Sequence, residues 1–379
     1  RKPDWPYRAR GESGLMVSDL FPEIGGVVDD LTIINSMYAE TSNHTPATFQ
    51  QNTGFRLNGF PVLGSWLSYG LGSEADDLPA YVVIPDAREW PAGGSINWTN
   101  GFLSARHQGV VIRSSSSGPP IDDLTPARPL PEGADQAAFD LIRRMNQRHL
   151  HAHDGDDLLA ARARTYELAA RMQLAVPEVT RLDAESKETQ TLYGLDQEES
   201  AEFGRGCLVA RRLLERGVRF VQLFSGGTFG SPRRNWDGHE NMKENHGQEA
   251  RRIDRPVAGL IRDLKRRGML DDTLVLFTTE FGRTPFTQSD SNILGAGRDH
   301  NQYGFSVWIA GAGLKHGVAY GATDEIGWKA VEKPTHWNDF HATVLHLLGI
   351  HHEKLTFKHN GIQRRLTNVG GQVLKDILA

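Results

Sequence analysis

Five short, nearly continuous apolar runs constrain this chain more than any other feature: "DLTIINSMY", "AYVVIP", "VRFVQLF", "TLVLFTT" and "FSVWIAG". Each is too short for a buried helix, and none alternates polar with apolar as a half-exposed strand would. They fit strands covered on both faces. Between the later runs lie "GRGCLVARRLLERG" and "ARRIDRPVAGLIRDLKRRGML", with apolar residues three and four apart, as in amphipathic helices. Strands joined by crossover helices predict an α/β fold with a mostly parallel sheet and helices on both faces. With 379 residues, one large domain is expected.

Three further segments fit helices. "SGLMVSDLFPEI" is predicted as a short amphipathic helix, and "FPVLGSWLSYGLG" as another. Residues 134–216, with alanine filling the gaps between apolar positions, predict a mid-chain helical layer or insertion. From "PAGGSINWTNGF" to "RSSSSGPPIDDLTPARPLPEG" the composition is that of a long surface loop, one wall of a cleft.

The charge balance excludes some partners. A net charge of -5 gives no electrostatic reason to bind nucleic acid. No apolar run reaches the length of about 18 residues that spans a bilayer. The single cysteine, Cys207, forbids an internal disulfide and sits among small apolar residues as an inert thiol. A chain that opens on Arg1 instead of methionine is expected to be processed or truncated.

In open parallel sheets, ligands sit beyond the carboxyl ends of the strands. Polar residues collect there. Asp237 and His239 follow "VRFVQLF", Glu280 and Arg283 close "TLVLFTT", and Asp299-His300 precede "FSVWIAG". His44 follows "DLTIINSMY", within "SNHTPATFQQNTG". Singly, each fits a turn, a salt bridge or a surface histidine. Together they supply the oxygen and nitrogen donors that a divalent metal ion needs. His246 and the trio His149, His151 and His153 fit solvated helical positions instead.

His44 stands at a predicted helix start, with Thr45 as N-cap and Pro46 in the first helical position, where backbone N–H groups favour an anion. Four roles are open to it: covalent nucleophile, metal ligand, general acid–base, or a histidine that only hydrogen-bonds its neighbours. Arg283 fits either a guanidinium clamp on a tetrahedral oxyanion or a partner of Glu280. The loop around Asn97-Trp98-Thr99-Asn100 and His107 is a candidate cleft wall, where Trp98 fits stacking on a sugar ring and a core position equally well.

These landmarks resemble those of the alkaline phosphatase superfamily. "NHTPATFQQNTG" looks like its nucleophile segment, "TTEFGRTP" like its strand ending in Asp-His-Gly, and "DHNQYGFSVWIAGAGLKHG" like its late metal-binding histidine with the strand and turn that follow. Together with "WDGHENM" and "GIQRRLTNVGG", they are closest to a bacterial sulfatase-like family catalogued as domain of unknown function fifteen-oh-one. The resemblance implies a single alkaline phosphatase-like domain over 1–379 that lacks its first strand. It implies Asp237, His239 and His300 as metal ligands, with Glu280 in the aspartate position. His44 then occupies the nucleophile position, and Phe281 replaces a histidine. An extracytoplasmic location, periplasmic or exported, is implied as well.

The expected function is metal-dependent hydrolysis of sulfate or phosphate monoesters, small or carbohydrate. Asp237, His239, Glu280, Asp299 and His300 would hold one or two divalent ions, zinc or manganese before calcium. His44 and Arg283 would act on the ester. The alternative is a non-catalytic oxyanion- or carbohydrate-binding protein of the same fold. Oligomeric state is not legible.

Overall fold

The computed structural model describes residues 2–115, 118–122, 124, 131, 133–153, 157–227, 235–290 and 293–379. Parts of the Ser/Pro-rich stretch and of the loop before Asn235 therefore lie outside the described residues.

The chain opens with a hairpin, β1 (Tyr7–Arg10) against β2 (Leu15–Ser18), followed by the four-residue helix α1 (Pro22–Gly25). The helix expected over "SGLMVSDLFPEI" is absent. Gly11 and Gly14 adopt positive φ, 65° and 68°, and turn the chain back on itself before a helix can propagate.

Next come β3 (Leu31–Tyr38), α2 (His44–Thr53), α3 (Leu63–Leu71), β4 (Tyr81–Ile84) and β5 (Val110–Val111). The helical layer follows as α4 (Ala134–Ala152), α5 (Asp157–Thr180), α6 (Lys187–Leu192) and α7 (Glu198–Glu215). Then β6 (Phe220–Leu223) leads to α8 (Met242–Arg266) and β7 (Leu274–Phe277). Small ribbons pair β8 (Gly282–Arg283) with β11 (His300–Asn301), and β9 (Gln288–Asp290) with β10 (Ile293–Gly297). The chain closes with β12 (Phe305–Gly311), β13 (Val318–Tyr320), the β14–β15 ribbon (Ala322–Thr323, Ala330–Glu332) and β16 (Thr335–His336). Helix α9 (Trp337–Leu347) and the β17–β18 hairpin (Phe357–His359, Ile362–Arg364) complete it.

The strands form two main sheets. In the smaller, β4 lies between β5 and β6, all parallel. The larger has the order β13-β3-β12-β7, with β16 also on β3. It is mixed: β13 and β16 run parallel to β3, but β12 runs antiparallel to both β3 and β7. The expectation of a mostly parallel sheet holds for the smaller sheet and is corrected for the larger. Among the described residues no helix crosses over between β7 and β12, only the two ribbons, and the chain returns in the opposite direction.

Both faces of the larger sheet are covered. Ile34, Met37, Val307 and Ile309 share a core cluster with Trp66 of α3 and with Trp337 and Phe340 of α9. Leu31, Trp308 and Ala310 share another with Ile253, Val257, Ile261 and Leu264 of α8. Each such side chain contributes about 1.5–3 kcal/mol by leaving water. Met172, Val176 and Val179 of α5 pack with Val209 and Leu213 of α7 and with Val82 of the smaller sheet. Cys207 of α7 is buried with Tyr193 and Leu208, and desolvation pushes its thiol pKa well up, as expected for an inert thiol.

Arg211 of α7 is only 2% exposed and binds three carboxylates: Glu185 at 2.8 Å, Glu215 at 2.6 Å and Asp263 at 3.2 Å. Asp263 belongs to α8, so this buried cluster fastens the helical layer to the helix behind the larger sheet.

Candidate metal centre

Helix α2 begins two residues earlier than the sequence predicts. Asn43 is the extended N-cap and His44 the first helical residue, so Thr45 is not the cap and Pro46 lies inside the first turn. At the far end Gly54 closes the helix with φ 77°, and an added Cβ would collide with the Leu366 carbonyl. This anchors the helix that carries His44. The β8–β11 ribbon pairs Arg283 with His300, and Gly297 passes so close to the His239 carbonyl that no side chain fits between them.

These supports bring His44, Asp237, His239, Glu280, Arg283 and His300 to one place. The focus is Asp237 Oδ1, on a side chain 6% exposed. Four nitrogens surround that single oxygen: Arg283 Nη2 at 2.7 Å, His239 Nε2 at 2.9 Å, His300 Nε2 at 3.0 Å and His44 Nε2 at 3.2 Å. The His239 and His300 Nε2 atoms are themselves 2.9 Å apart.

Each imidazole is held from behind through Nδ1. His44 Nδ1 lies 2.8 Å from Glu280 Oε1, His239 Nδ1 is 2.5 Å from Gln288 Oε1, and His300 Nδ1 donates to the Ser42 carbonyl at 2.6 Å. A carbonyl only accepts, so His300 Nδ1 carries a proton, and Nε2 is the atom turned toward Asp237. Nδ1 held outward and Nε2 turned inward is the arrangement of metal-ligating histidines. Phe281, 4% exposed, stacks near His44 and His300 with ring centroids 5.0 and 4.5 Å away; it walls the site and offers no donor.

Electrostatics follow this crowding. Burial opposes the charged form of His44, but the bonds to Asp237 and Glu280 outweigh it and lift its pKa to about 9. The bond to Asp237 likewise raises His239. Burial works against ionised Asp237 too, yet the three histidines and Arg283 hold its carboxyl well below the usual range. Glu280 is lowered in spite of burial, through His44.

The donor chemistry fits a divalent cation. His44, Asp237 and His300 each offer one atom, and all lie within 4.8 Å of one another. His239, Asp299 and His300 form a second such group. Ligand atoms on tetrahedral zinc lie about 3.3 Å apart, so the inner donors need to open only slightly. One carboxylate oxygen cannot accept well from four nitrogens at once, and a cation among them would relieve the crowding.

Not every predicted residue makes the contacts expected of it. Asp299 is 61% exposed, bonds the His300 N–H at 2.7 Å and stays 3.9 Å from His239 Nδ1. Glu280 stands behind His44, bonded to its Nδ1 and away from Asp237. Arg283 pairs with Asp237, not Glu280, and also donates to the Trp236 and Arg298 carbonyls.

The proposed cleft wall is core. Trp98 is 2% exposed and packs with Val62, Tyr81 and Val83, so it cannot stack on a sugar. Asn97 is buried, and His107 is buried against Ser68 Oγ at 2.9 Å. His246 is not solvated: its Nε2 bonds the Trp236 carbonyl at 2.8 Å, and desolvation lowers its pKa to about 4. Ser42 and Gln288 were missed. Ser42 contributes a backbone carbonyl, which no side-chain pattern reveals, and Gln288 lies on a ribbon without a motif.

The chain matches a family model described as "Protein of unknown function (DUF1501)" over residues 1–378. It belongs to that family. No curated protein matches it. Among solved structures, similar ones include Ps i-CgsB in complex with k-i-k-neocarrahexaose, at 11% identity and TM-score 0.41, covering 87% of this chain and 66% of that one. Phosphonate monoester hydrolase SpPMH from Silicibacter pomeroyi shares 13% identity at TM-score 0.40, covering 94% and 71%. PsFucS1 sulfatase from Pseudoalteromonas sp. shares 13% at TM-score 0.39, covering 87% and 62%. The chain thus spans slightly less than two thirds of the first and last of these.

Proposed function

We propose that this protein is a metal-dependent hydrolase of sulfate or phosphate monoesters on an alkaline phosphatase-like α/β fold. The observation that carries this reading is the convergence of three imidazole Nε2 atoms on Asp237 Oδ1, each ring held outward through Nδ1. His44, Asp237, His239 and His300 would hold the ion, with Asp299 at the rim beside His239 and His300. A donor set of three imidazoles and one carboxylate favours zinc or manganese over calcium, which prefers an all-oxygen shell.

A bound divalent ion supplies Lewis acidity toward an ester oxyanion and lowers the pKa of water. The chain's own groups do the rest. Of the roles open to His44, metal ligand is favoured, because its Nε2 faces the other donors while Glu280 takes the Nδ1 proton. The ten-residue helix α2 starts at His44 without an acidic residue in its first turn, which leaves its positive end suited to a tetrahedral oxyanion. Arg283, bonded to Asp237, orients that carboxylate and adds positive charge at the same place. The extracytoplasmic location implied by the family resemblance belongs to this reading and is tested by cell fractionation.

The test is turnover of an aryl sulfate and an aryl phosphate by protein loaded with zinc or manganese, beside His44→Ala and Asp237→Asn. Turnover of either ester that falls at least about a hundredfold in both variants supports the proposal. Stoichiometric metal without turnover of any ester leaves the binding-protein reading. Turnover that survives Asp237→Asn contradicts the assigned site.

A further inference from the structure

Helix α4 has 19 residues and buries none of them. It packs against α5, and among its half-buried positions Phe139, Asn146 and Leu150, spaced seven and four residues apart, share one side, with Ala134 and Asp140 half-buried off that side. On another side Leu141, Ile142 and Met145 are 52%, 48% and 61% exposed. One, three and four residues apart, these three form a single apolar strip.

Charge lies beside it. Residues 141–152 hold Arg143, Arg144 and Arg148 and no Asp or Glu. Arg143 is taken by Asp140 at 2.7 Å. Arg144 bonds only the Asp140 carbonyl, and neither it nor Arg148 has an acidic partner among the described residues. On a helical projection both arginines fall on the Leu141 edge of the strip.

We propose that α4 docks the protein on an anionic lipid surface, lying in the interface plane without crossing it. Apolar side chains with basic neighbours on an exposed helix are what such an interface accepts: the strip enters the acyl boundary while the guanidinium groups meet headgroup phosphates. A convex single helix offers no groove to a peptide. A second copy of α4 would bring the same basic edge and only Asp135 as an unpaired acid, whereas an anionic surface complements Arg144 and Arg148 directly. No helix among the described residues is long and apolar enough to span a membrane, so the contact is peripheral. This inference does not depend on the metal site.

The test is co-sedimentation of the full chain with vesicles of mixed phosphatidylglycerol and phosphatidylcholine, and with phosphatidylcholine alone. Binding to the anionic vesicles only, weakened by added salt, is expected. Arg144→Gln and Arg148→Gln should each weaken it about fivefold, and Leu141→Ser with Met145→Ser should abolish it. All four positions are solvent-facing, so an unchanged Tm confirms that the variants fold. Failure of the wild-type chain to sediment with anionic vesicles overturns the proposal, as does binding indifferent to these substitutions. A doubled mass in light scattering that the apolar variant reverts to monomer also overturns it, because a second copy would then cover the strip.

Discussion

His44 lies at a helix start because its ring is one spoke of a wheel centred on Asp237, with Glu280 gripping the outer nitrogen. Two predictions belong at this scale. Glu280→Gln keeps the shape but removes the charge that fixes the ring, so zinc affinity, measured by chelator competition, should fall about 10–100-fold. An unchanged affinity would detach Glu280 from the site. The second concerns protons. With its pKa raised to about 9, His44 is protonated at pH 7 in the metal-free protein and must lose that proton to ligate. Metal binding at pH 7 should therefore release about one proton from His44, seen by calorimetry in buffers of different ionisation heat, and this release should fade above pH 9. The apparent affinity should rise with pH up to that point. Binding with no proton release would show that His44 stays outside the coordination sphere. The sequence marked His44, Asp237, His239 and His300 as candidates because strand ends are few and donor side chains are conspicuous, and the fold brings the four together. It could not disclose the Ser42 carbonyl, since backbone partners carry no residue signature.

At the scale of elements, local signals were legible where they agreed with packing. β3, β4, β6, β7 and β12 lie where apolar runs mark them, because few polar residues interrupt those runs. The N-terminal hairpin failed as a helix because Gly11 and Gly14 dictate a reversal that apolar spacing alone does not show. Trp98 and His107, in a polar-looking stretch, are buried because β4 and α3, remote from them in sequence, cover them. The Arg211 cluster was equally invisible, since Glu185 and Asp263 are remote in sequence. Arg211→Met should destabilise the protein by about 3–5 kcal/mol in urea unfolding, because the Oδ2 of wholly buried Asp263 then keeps only the neutral Tyr193 hydroxyl, the remaining arginines being on Oδ1. A loss below about 1 kcal/mol would mean that the cluster does not fasten α7 to α8.

For the whole molecule, the α/β class was legible and the sheet direction was not. Crossover helices reveal parallel neighbours, but the strandlets between β7 and β12 are too short to mark in a sequence, and they reverse the chain. Buried histidines set the acid limit of this fold. Burial, with Arg106 adding its charge, lowers His107 to about 4, and burial lowers His341 to about 4 although its Nε2 bonds the Gln51 carbonyl at 2.9 Å. Both are held neutral when folded. Their stabilisation is fully present above the unfolded value near 6.5 and is lost as pH falls from there toward 4, because the unfolded chain takes up protons first. The loss should be on the order of 3 kcal/mol per histidine. Stability against urea should therefore drop steeply across that window, and His107→Gln with His341→Gln should flatten the slope. An equally steep profile in the double variant would place the acid sensitivity elsewhere.

The central claim, a cation held by three imidazoles and the Asp237 carboxylate, is tested most directly by metal analysis joined to X-ray absorption on zinc-loaded protein. The account predicts tight, stoichiometric metal and a spectrum with the multiple-scattering signature of three histidine rings. Protein that retains no metal, or an ion in an all-oxygen shell without imidazole scattering, would contradict it.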